Sequence, residues 1–226
     1  MATVLVIAAH PDDEILGCGA TMARHAAAGD EVHVLIVGEG ETSRGAGGDA
    51  VADRGAAAKA AAKAVGAHAP RMLGLPDNRL DSLALLDIVQ PIEKAIDAVR
   101  PDTVYTHHAG DLNIDHRIVH QATVTACRPL PGQRIRALYA FEVLSSTEWS
   151  GQVGPAFAPN CFVDVVDHME QKLTALRCYD SEMRPFPHAR SYEAVQALAT
   201  LRGASAGLAA AEAFLVIRLI ETTTSA

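Results

Sequence analysis

Short apolar runs alternate along the chain with longer stretches in which apolar positions recur at helical spacing. The runs are rich in Val, Ile and Leu, which is typical of strands that are buried on both faces of a sheet. We predict strands over Thr3–Ala8, Glu31–Val37, Arg71–Leu75, Asp102–His107, Ala137–Val143 and Cys161–Val165.

The stretches between and after these runs have the periodicity of helices. We predict helices over Glu14–Ala28, Ala50–Gly66, Leu83–Val99, His116–Cys127, Asp167–Tyr179 and Tyr192–Ala211. Strands that alternate with helices predict an α/β fold, with an open, mostly parallel sheet covered by helices on both faces. The sequence shows no internal repeat and no obvious linker, so we predict one domain over residues 1–226.

Polar residues follow the first four predicted strands, at the point where each strand ends. In open α/β sheets, ligands bind beyond the carboxyl ends of the strands. We therefore expect four clusters to meet at one rim: His10–Glu14, Glu39 with Glu41, Asp77–Arg79 and His107–His116. Two long loops, Gly38–Asp49 and Leu144–Asn160, are candidate lids over this rim.

Composition limits the class of protein. The chain has 226 residues, of which 49% are hydrophobic, and its formal net charge is -8, which argues against a general nucleic-acid binder with a basic face. The first apolar run ends at His10, which is too short for a signal peptide or a membrane span. The four cysteines are far apart and are interpreted as core residues in a reducing compartment rather than disulfides. We therefore predict a cytoplasmic protein without a nucleic-acid partner or a membrane span.

The sequence AHPDDE places one histidine and three acids directly after the first predicted strand. A turn from strand to helix can direct His10 and Asp13 to one point, and imidazole and carboxylate are good ligands for zinc and similar divalent metals. Asp12 would lie beside the same point. The alternative is a helix N-cap with acids favoured by the helix dipole, which explains one or two acids but neither His10 nor the turn at Pro11.

A second cluster, THHAGDLNIDHRIVH, follows the fourth predicted strand. A catalytic zinc typically takes three protein ligands, so the site needs one more, and His116 at the start of a helix is the best candidate. His120 lies one turn further along the same helical face and is interpreted as a surface residue or as support for a ligand. His107 and His108 end the strand, where a role near the pocket and a structural role are both open.

The motifs AHPDDE and DLNIDH resemble the PIG-L/LmbE-like family of zinc-dependent N-deacetylases. LPDNRLD, and the stretch from RPFPHARS through RGASAGLAAAEAF, are similar to one bacterial branch of that family. The resemblance implies a Rossmann-like fold and the removal of acetyl groups, or more rarely larger acyl groups, from amino sugars. Its implied partner is a small-molecule amino sugar, and the trimers and hexamers of the family allow a homo-oligomer.

The resemblance also assigns roles to residues. It makes His10, Asp13 and His116 zinc ligands and Asp12 the general base. Iron or cobalt would suit His and Asp ligands as well as Zn²⁺ does.

The second motif departs from the family pattern at Asn113. Many members read His-Pro-Asp-His there, and the first His is thought to help stabilise the oxyanion. We predict that Asn113 binds the substrate from this place, where it can donate a hydrogen bond but supplies neither a positive charge nor a proton. We predict that His188 of RPFPHARS replaces the missing histidine as a catalytic residue, with His107 and His108 as alternatives. A purely structural loop around His188 is the other interpretation.

Arg54 and Asp77 match family positions that bind the substrate. The resemblance suggests that Arg54 reaches a sugar or phosphate oxygen and that Asp77 binds sugar hydroxyls. A solvated helix charge and a turn-forming Asp are the structural alternatives. Trp149, in the second long loop, is a candidate for stacking on a sugar ring.

The predicted function is that of a zinc-dependent N-deacetylase, a hydrolase that uses a metal-activated water to remove the N-acetyl group from an N-acetylglucosamine-type sugar. The prediction covers a sugar that is free or linked to a lipid, a nucleotide or a natural product. An amidase that removes a larger acyl group from a thiol-sugar conjugate is the alternative. A nucleotide-binding module is disfavoured, because the acids after the first strand would repel phosphate and Gly17 and Gly19 lack the full glycine fingerprint.

Overall fold

The computed structural model describes residues 1–40, 48–151 and 153–221, and one mixed sheet lies at their centre. The strands are β1 (Thr3–Ala8), β2 (Glu31–Gly38), β3 (Arg71–Leu75), β4 (Thr103–His107), β5 (Ala137–Phe141), β6 (Cys161–Asp164) and β7 (Ala211–Leu219). Their order across the sheet is β3-β2-β1-β4-β5-β7-β6. Strands β1 to β5 pair in parallel, whereas β7 pairs antiparallel with β5 and with β6.

Helices cover both faces of this sheet, which confirms the predicted Rossmann-like α/β fold. They are α1 (Asp13–Ala27), α2 (Gly48–Ala64), α3 (Leu85–Val99), α4 (Ile114–Ala126), α5 (Met169–Arg177) and α6 (Tyr192–Ala204). Among the described residues, no helix is both long enough and apolar enough to cross a membrane.

The central strand β1 shows why an unbroken apolar run forms here. Its side chains alternate between two buried clusters, so Val4 and Val6 pack with one set of helices and Leu5 and Ile7 with the other. Each of these four side chains is at most 1% exposed. Because both faces are covered, a polar residue at any of these positions would be buried without water.

The strand order places a crevice at the end of β1. The chain runs from β1 outward to β2 and β3, and then returns to the other side of β1 to form β4. The connections after β1 and β4 therefore leave the sheet on opposite faces, and the carboxyl ends of these two strands flank an opening. The AHPDDE and DLNIDH segments follow β1 and β4 and so meet at this opening.

The predicted helix over Tyr192–Ala211 is wrong beyond Ala204. Helix α6 ends there, Gly207 adopts a left-handed φ of 73°, and the chain enters β7, a strand that the sequence analysis does not predict. The first four residues of β7 are buried between β5 and β6, whereas the following four are half-exposed. A strand with this mixed burial follows an alanine-rich helix, so no apolar run marks its start.

The four cysteines are unpaired, as predicted. Cys18 and Cys127 are buried, whereas Cys161 and Cys178 are half-buried. The prediction that the cysteines are core residues is therefore confirmed for Cys18 and Cys127.

Helix α1 is interrupted at Cys18, whose φ and ψ of -147° and 24° are not helical. The carboxylate of Glu212, on β7, accepts the backbone N–H groups of residues 20–21 at 3.1 and 2.7 Å. Lys172, on α5, donates to the Leu16 carbonyl at 2.8 Å and to Glu212 at 2.6 Å. This buried ion pair therefore satisfies the backbone groups that the interruption releases.

We expect Lys172→Met to lower the free energy of unfolding by about 3 kcal/mol or more, because it leaves the buried Glu212 carboxylate without its ionic partner. Urea unfolding followed by circular dichroism measures the change. Arg177→Ala is the control, because it removes an ion pair with Glu170 that is exposed on both sides and should cost well under about 1 kcal/mol. Equal stability of Lys172→Met and the wild type would contradict the role of the ion pair.

Candidate metal centre and its cleft

The turn between β1 and α1 is held by its own acids. Asp13 Oδ2 accepts the backbone N–H of His10 at 2.9 Å, and Glu14 Oε2 accepts that of Asp12 at 3.0 Å. Asp12 has a φ of 114°, a region that residues with a side chain rarely adopt. Its side chain makes no capping hydrogen bond to α1. The N-cap alternative therefore fails for Asp12, whose carboxylate faces a cleft instead.

Glu14 supports this turn from below. It is buried, and Tyr179 OH donates to its Oε1 at 2.6 Å. Burial raises the pKa of Glu14 to about 8, although the Tyr179 hydrogen bond favours the ionised form. Glu14 thus fixes the backbone of the residue before Asp13 and does not face the cleft.

His10, Asp13 and His116 meet at one point, as their assignment as metal ligands predicts. One nitrogen or oxygen atom of each lies within 4.8 Å of the others. Asp13 Oδ2 is 3.3 Å from His10 Nδ1 and 3.2 Å from His116 Nε2. Ligand atoms bonded at about 2.1 Å to a tetrahedral ion lie about 3.4 Å apart, so these separations suit a zinc-like ion.

The residues present fit a divalent cation in two further respects. Two imidazoles and one carboxylate form a donor set that zinc and similar metals prefer. Asp13 Oδ1 is buried and, within the described residues, has no hydrogen-bond partner. A buried carboxylate oxygen without a donor is unusual, and a bound cation would satisfy it.

Both histidines are oriented by carboxylates on the nitrogen that faces away from this point. His116 Nδ1 lies 3.1 Å from Asp111, and His10 Nε2 lies 3.1 Å from both Asp115 and Asp77. Such partners fix the ring orientation of metal-binding histidines and increase their basicity. The sequence analysis misses Asp111 and Asp115, although both stand in the DLNIDH motif.

Asp111 is itself held in place by several donors. Its carboxylate accepts hydrogen bonds from the hydroxyls of Ser146 and Thr147 and from the backbone N–H of Asn113. Burial alone would raise the pKa of Asp111, but the hydrogen bond to His116 and these donors hold it well below its ordinary value. Asp111 is therefore a fixed negative charge behind His116.

The carboxylates favour positive charge at this point of the cleft. Burial disfavours a charged His10 ring, but hydrogen bonds to Asp115 and Asp13 outweigh burial and raise its pKa to about 10. Burial is likewise outweighed at His116, where Asp13 and Asp111 raise the pKa to about 9. Against its own burial, Asp13 has a pKa well below its ordinary value because of His116 and His10.

Asp12 differs from Asp13 although the two are adjacent in sequence. Burial raises the pKa of Asp12 to about 6, and the nearby guanidinium of Arg190 opposes part of this rise. Asp12 Oδ2 accepts a hydrogen bond from Arg190 Nη1 at 2.7 Å. A carboxyl group with a pKa near neutrality is a more effective proton acceptor and donor than an ordinary Asp.

The candidate metal ligands open onto a cleft of about 430 Å³, part of which is open solvent. Residues that follow β1, β2, β3, β4 and β5 all contribute to its walls, so the predicted convergence on one rim is confirmed. The cleft is lined by His10, Pro11, Asp12, Gly40, Arg54, Asp77, Asn78, Asn113, His116, Ser145, Ser146 and Arg190. Most of the loop Gly38–Asp49, including Glu41, lies outside the described residues.

Arg54 and Asp77 both line the cleft and are both buried. Arg54 projects from α2, with Nη2 2.5 Å from Glu182 Oε1 and Nη1 3.4 Å from the Pro11 carbonyl. The interpretation of Arg54 as a solvated helix charge is therefore wrong. Asp77 contacts His10 as well as the cleft, so it is more than a turn former.

Asn113 caps helix α4. Its Oδ1 accepts the backbone N–H of Asp115 at 2.8 Å, and its Nδ2 donates to Asn78 Oδ1 at 3.0 Å. It lines the cleft from this position, but both ends of its amide already have a partner. A role in substrate binding stays a prediction.

His188 does not line the cleft. Its ring is exposed, lies 5.7 Å from that of Trp149, and accepts the backbone N–H of Arg190 at Nδ1. The RPFPHARS segment instead sends the side chain of Arg190 into the cleft. The residue of this segment that enters the cleft thus lies two positions after the predicted His188.

His107 and His108 are also outside the cleft lining, although His107 Nε2 lies 3.6 Å from Asp13 Oδ2. His107 Nε2 accepts the backbone N–H of Ala9, and its ring stacks on His116 with centroids 4.0 Å apart. Burial, reinforced by the neighbouring His116, holds the pKa of His107 well below its ordinary value. His108 Nε2 bonds the Pro155 carbonyl at 2.8 Å, and His120 Nδ1 bonds that of His107 at 2.8 Å.

Comparison with known protein families gives a match over residues 5–127 to PIG-L, described as GlcNAc-PI de-N-acetylase. The uncharacterized deacetylase YaiS of Escherichia coli K12 is 33% identical over 184 residues, which are 79% of this chain and 90% of YaiS. A probable N-acetyl-alpha-D-glucosaminyl L-malate deacetylase 2 of Bacillus cereus is 29% identical over 79% of this chain and 83% of its own length.

Proteins whose solved structures share this fold catalyse more than one reaction. N,N'-diacetylchitobiose deacetylase from Pyrococcus horikoshii matches with a TM-score of 0.77 and 21% identity, over 96% of this chain and 84% of that one. The 4-carboxy-2-hydroxymuconate hydratase GalB from Pseudomonas putida KT2440 matches with a TM-score of 0.79 and 24% identity, over 100% of both chains. At these identities the likeness establishes the fold alone, and the reaction must be inferred from the site.

Proposed function

This chain belongs to the PIG-L family, and from that premise we propose that it is a zinc-dependent N-deacetylase that hydrolyses the acetamide of an N-acetylglucosamine-type amino sugar. One juxtaposition carries the proposal. The three ligand atoms of His10, Asp13 and His116 lie within 4.8 Å of one another, and the Asp12 carboxylate lines the same cleft. Amide hydrolysis needs both an electrophilic centre and a proton acceptor, and this cleft offers residues for each.

A divalent cation held by His10, Asp13 and His116 would polarise the amide carbonyl and lower the pKa of a bound water to about 7. Asp12 is not one of these ligands, so its carboxylate is available to take a proton from the attacking water. The water oxygen bonds to the acetyl carbon, and the bond from that carbon to nitrogen then breaks. The proton held on Asp12 passes to the departing amine, so that acetate and the amino sugar are the products.

Polar side chains around the cleft suit a substrate rich in hydroxyl groups. Asp77, Asn78 and Asn113 line the cleft, and so do Ser145 and Ser146 on the segment after β5, where Ser146 Oγ lies 3.5 Å from His116 Nδ1. These groups both accept and donate hydrogen bonds, as sugar hydroxyls require. The GlcNAc named in the family description and the N-acetylglucosaminyl group named for the Bacillus cereus relative support the same substrate class.

Acetate release from a panel of N-acetylglucosaminyl compounds tests the proposal. The panel should include free N-acetylglucosamine, diacetylchitobiose, and conjugates to malate, inositol and a nucleotide. We expect the zinc-loaded protein to release acetate and the corresponding free amine in equal amounts from at least one of them. A chelator should abolish release, and added zinc should restore it.

Two other outcomes would replace this function with a different one. Cleavage of a cysteinyl-sugar conjugate without acetate release would identify an amidase for a larger acyl group. Hydration of an unsaturated carboxylic acid, with no amine formed from any sugar, would place the protein with the hydratase that shares its fold.

A further inference from the structure

Four charged side chains of alternating sign connect Asp12 to Arg54, and the two in the middle lie outside the part of the sequence matched to the family. Asp12 Oδ2 lies 2.7 Å from Arg190 Nη1, and the same nitrogen lies 3.4 Å from Glu182 Oε2. Glu182 Oε1 lies 2.5 Å from Arg54 Nη2. Arg190 and Glu182 both follow residue 127, where the PIG-L match ends.

We propose that Arg190 is a positioning residue for the catalytic Asp12: its guanidinium holds the carboxylate in the cleft, in the orientation in which it accepts a proton. This inference rests on the proposed function, which makes Asp12 the proton acceptor. It assigns to the segment before α6 a task that the two family motifs do not perform.

The hydrogen bonding of Asp12 supports this role. Its side chain does not cap α1, and among the described residues Arg190 is the one hydrogen-bond donor to its carboxylate. Asp12 also has a φ of 114°, a strained backbone conformation that persists only where surrounding contacts support it. Without Arg190, the carboxylate would keep its place at the cleft wall but lose the contact that orients it.

Arg190 is well placed to act as a rigid support. Its Nε donates to Ser145 Oγ at 2.7 Å, its backbone N–H donates to His188 Nδ1 at 2.9 Å, and its carbonyl accepts the backbone N–H of Arg184. Its side chain is only 18% exposed. A mostly buried ion pair with both partners hydrogen-bonded constrains geometry more than an exposed pair does.

The charge of Arg190 also bears on the departure at Asn113. The second motif has no histidine in that place, so position 113 supplies no positive charge to the cleft. Arg190 and Asn113 both line the cleft, and Arg190 is positively charged throughout the physiological pH range. Arg190, in the carboxyl-terminal part of the chain, therefore places a permanent positive charge against Asp12, the acid that would carry the transferred proton.

Arg190→Ala, assayed with the zinc-loaded full chain, tests the inference. We expect kcat for acetate release to fall about 10- to 100-fold, KM to change less than about threefold, and the metal content to equal that of the wild type. Arg190→Lys should recover part of the loss, and added guanidinium should raise the rate of Arg190→Ala but not that of the wild type. Arg177→Ala, an exposed arginine on α5, is the matched control and should keep wild-type kcat.

A double-mutant cycle separates positioning of Asp12 from direct contact with the substrate. If Arg190 acts through Asp12, then Arg190→Ala should cost less than about threefold in an Asp12→Asn background. Losses that multiply fully would overturn the inference and would make Arg190 a substrate contact. A wild-type kcat in Arg190→Ala would overturn it as well.

A crystal structure of zinc-loaded Arg190→Ala gives a readout that needs no activity. We expect the Asp12 carboxylate to change rotamer or to occupy more than one, with His10, Asp13 and His116 unmoved. An unmoved Asp12 would overturn the inference, even if the wild type proved active on no sugar. Absence of acetate from the wild type on the whole panel would instead reject the proposed function.

Discussion

Asp12→Asn is expected to lower kcat for acetate release by about a thousand-fold, within the range of about 10² to 10⁴ that a general base contributes. Asn has nearly the shape of Asp, and its carbonyl oxygen can still accept the hydrogen bond of Arg190. It cannot take a proton from water or return one to the amine. Since Asp12 is not one of the three candidate metal ligands, the metal content by elemental analysis should equal that of the wild type.

Asp12→Gly separates the effect of losing the carboxylate from the effect of the strained backbone at this position. Glycine adopts a positive φ at little cost, so Asp12→Gly should resist urea at least as well as Asp12→Asn does, while it is equally inactive. Turnover near that of the wild type in either variant would contradict the proton-transfer role. Loss of metal from both would indicate that Asp12 acts as a ligand.

The inner parallel strands could be predicted from sequence because most of their residues are buried on both faces. The edge strand β3 is only partly buried and is predicted by its short apolar run. β1 and β3 have the predicted boundaries, and β2, β4 and β5 differ from the prediction by one or two residues. β7 could not be predicted in the same way. Only its first half is fully buried, and its antiparallel pairing between β5 and β6 depends on where those strands lie in the folded chain.

The site was predictable as far as its residues lie in compact motifs. His10, Asp12 and Asp13 are local to one turn, and His116 begins the helix after β4. Arg190 is 178 residues from Asp12, and no periodicity links the two positions. His188 of the same segment is the predicted catalytic residue, but the fold turns its ring to Trp149 and sends Arg190 inward.

The sequence also does not show which histidine each orienting carboxylate contacts. Asp111 and Asp115 flank the same loop, yet they serve different histidines. Asp115 follows Asn113 by two residues and bonds His10, 105 residues away, whereas Asp111 bonds the nearby His116. The spacing of acids within DLNIDH does not distinguish these partners, because both depend on how β1 and β4 lie side by side.

His116→Ala is expected to remove the metal and, with it, measurable acetate release. His116 supplies one of three candidate ligands, and two remaining protein ligands hold zinc far more weakly than the three of a catalytic site. The Asp111 carboxylate would then face a cavity without its histidine partner. Elemental analysis after dialysis against a weak chelator measures the metal, and thermal unfolding with and without zinc measures the binding that remains.

Two variants near His116 compare the loss of zinc caused by removing a ligand with the loss caused by removing a residue that only contacts a ligand or its neighbours. Asp111→Asn keeps all three ligands and removes the charge behind His116, so zinc affinity should fall about 10- to 100-fold, less than in His116→Ala. His120→Ala changes a histidine one turn later on α4 that bonds the His107 carbonyl, and it should retain its zinc. Full zinc content in His116→Ala would reject His116 as a ligand. Equal losses of zinc in His116→Ala and His120→Ala would mean that the metal depends on the fold of α4 as a whole.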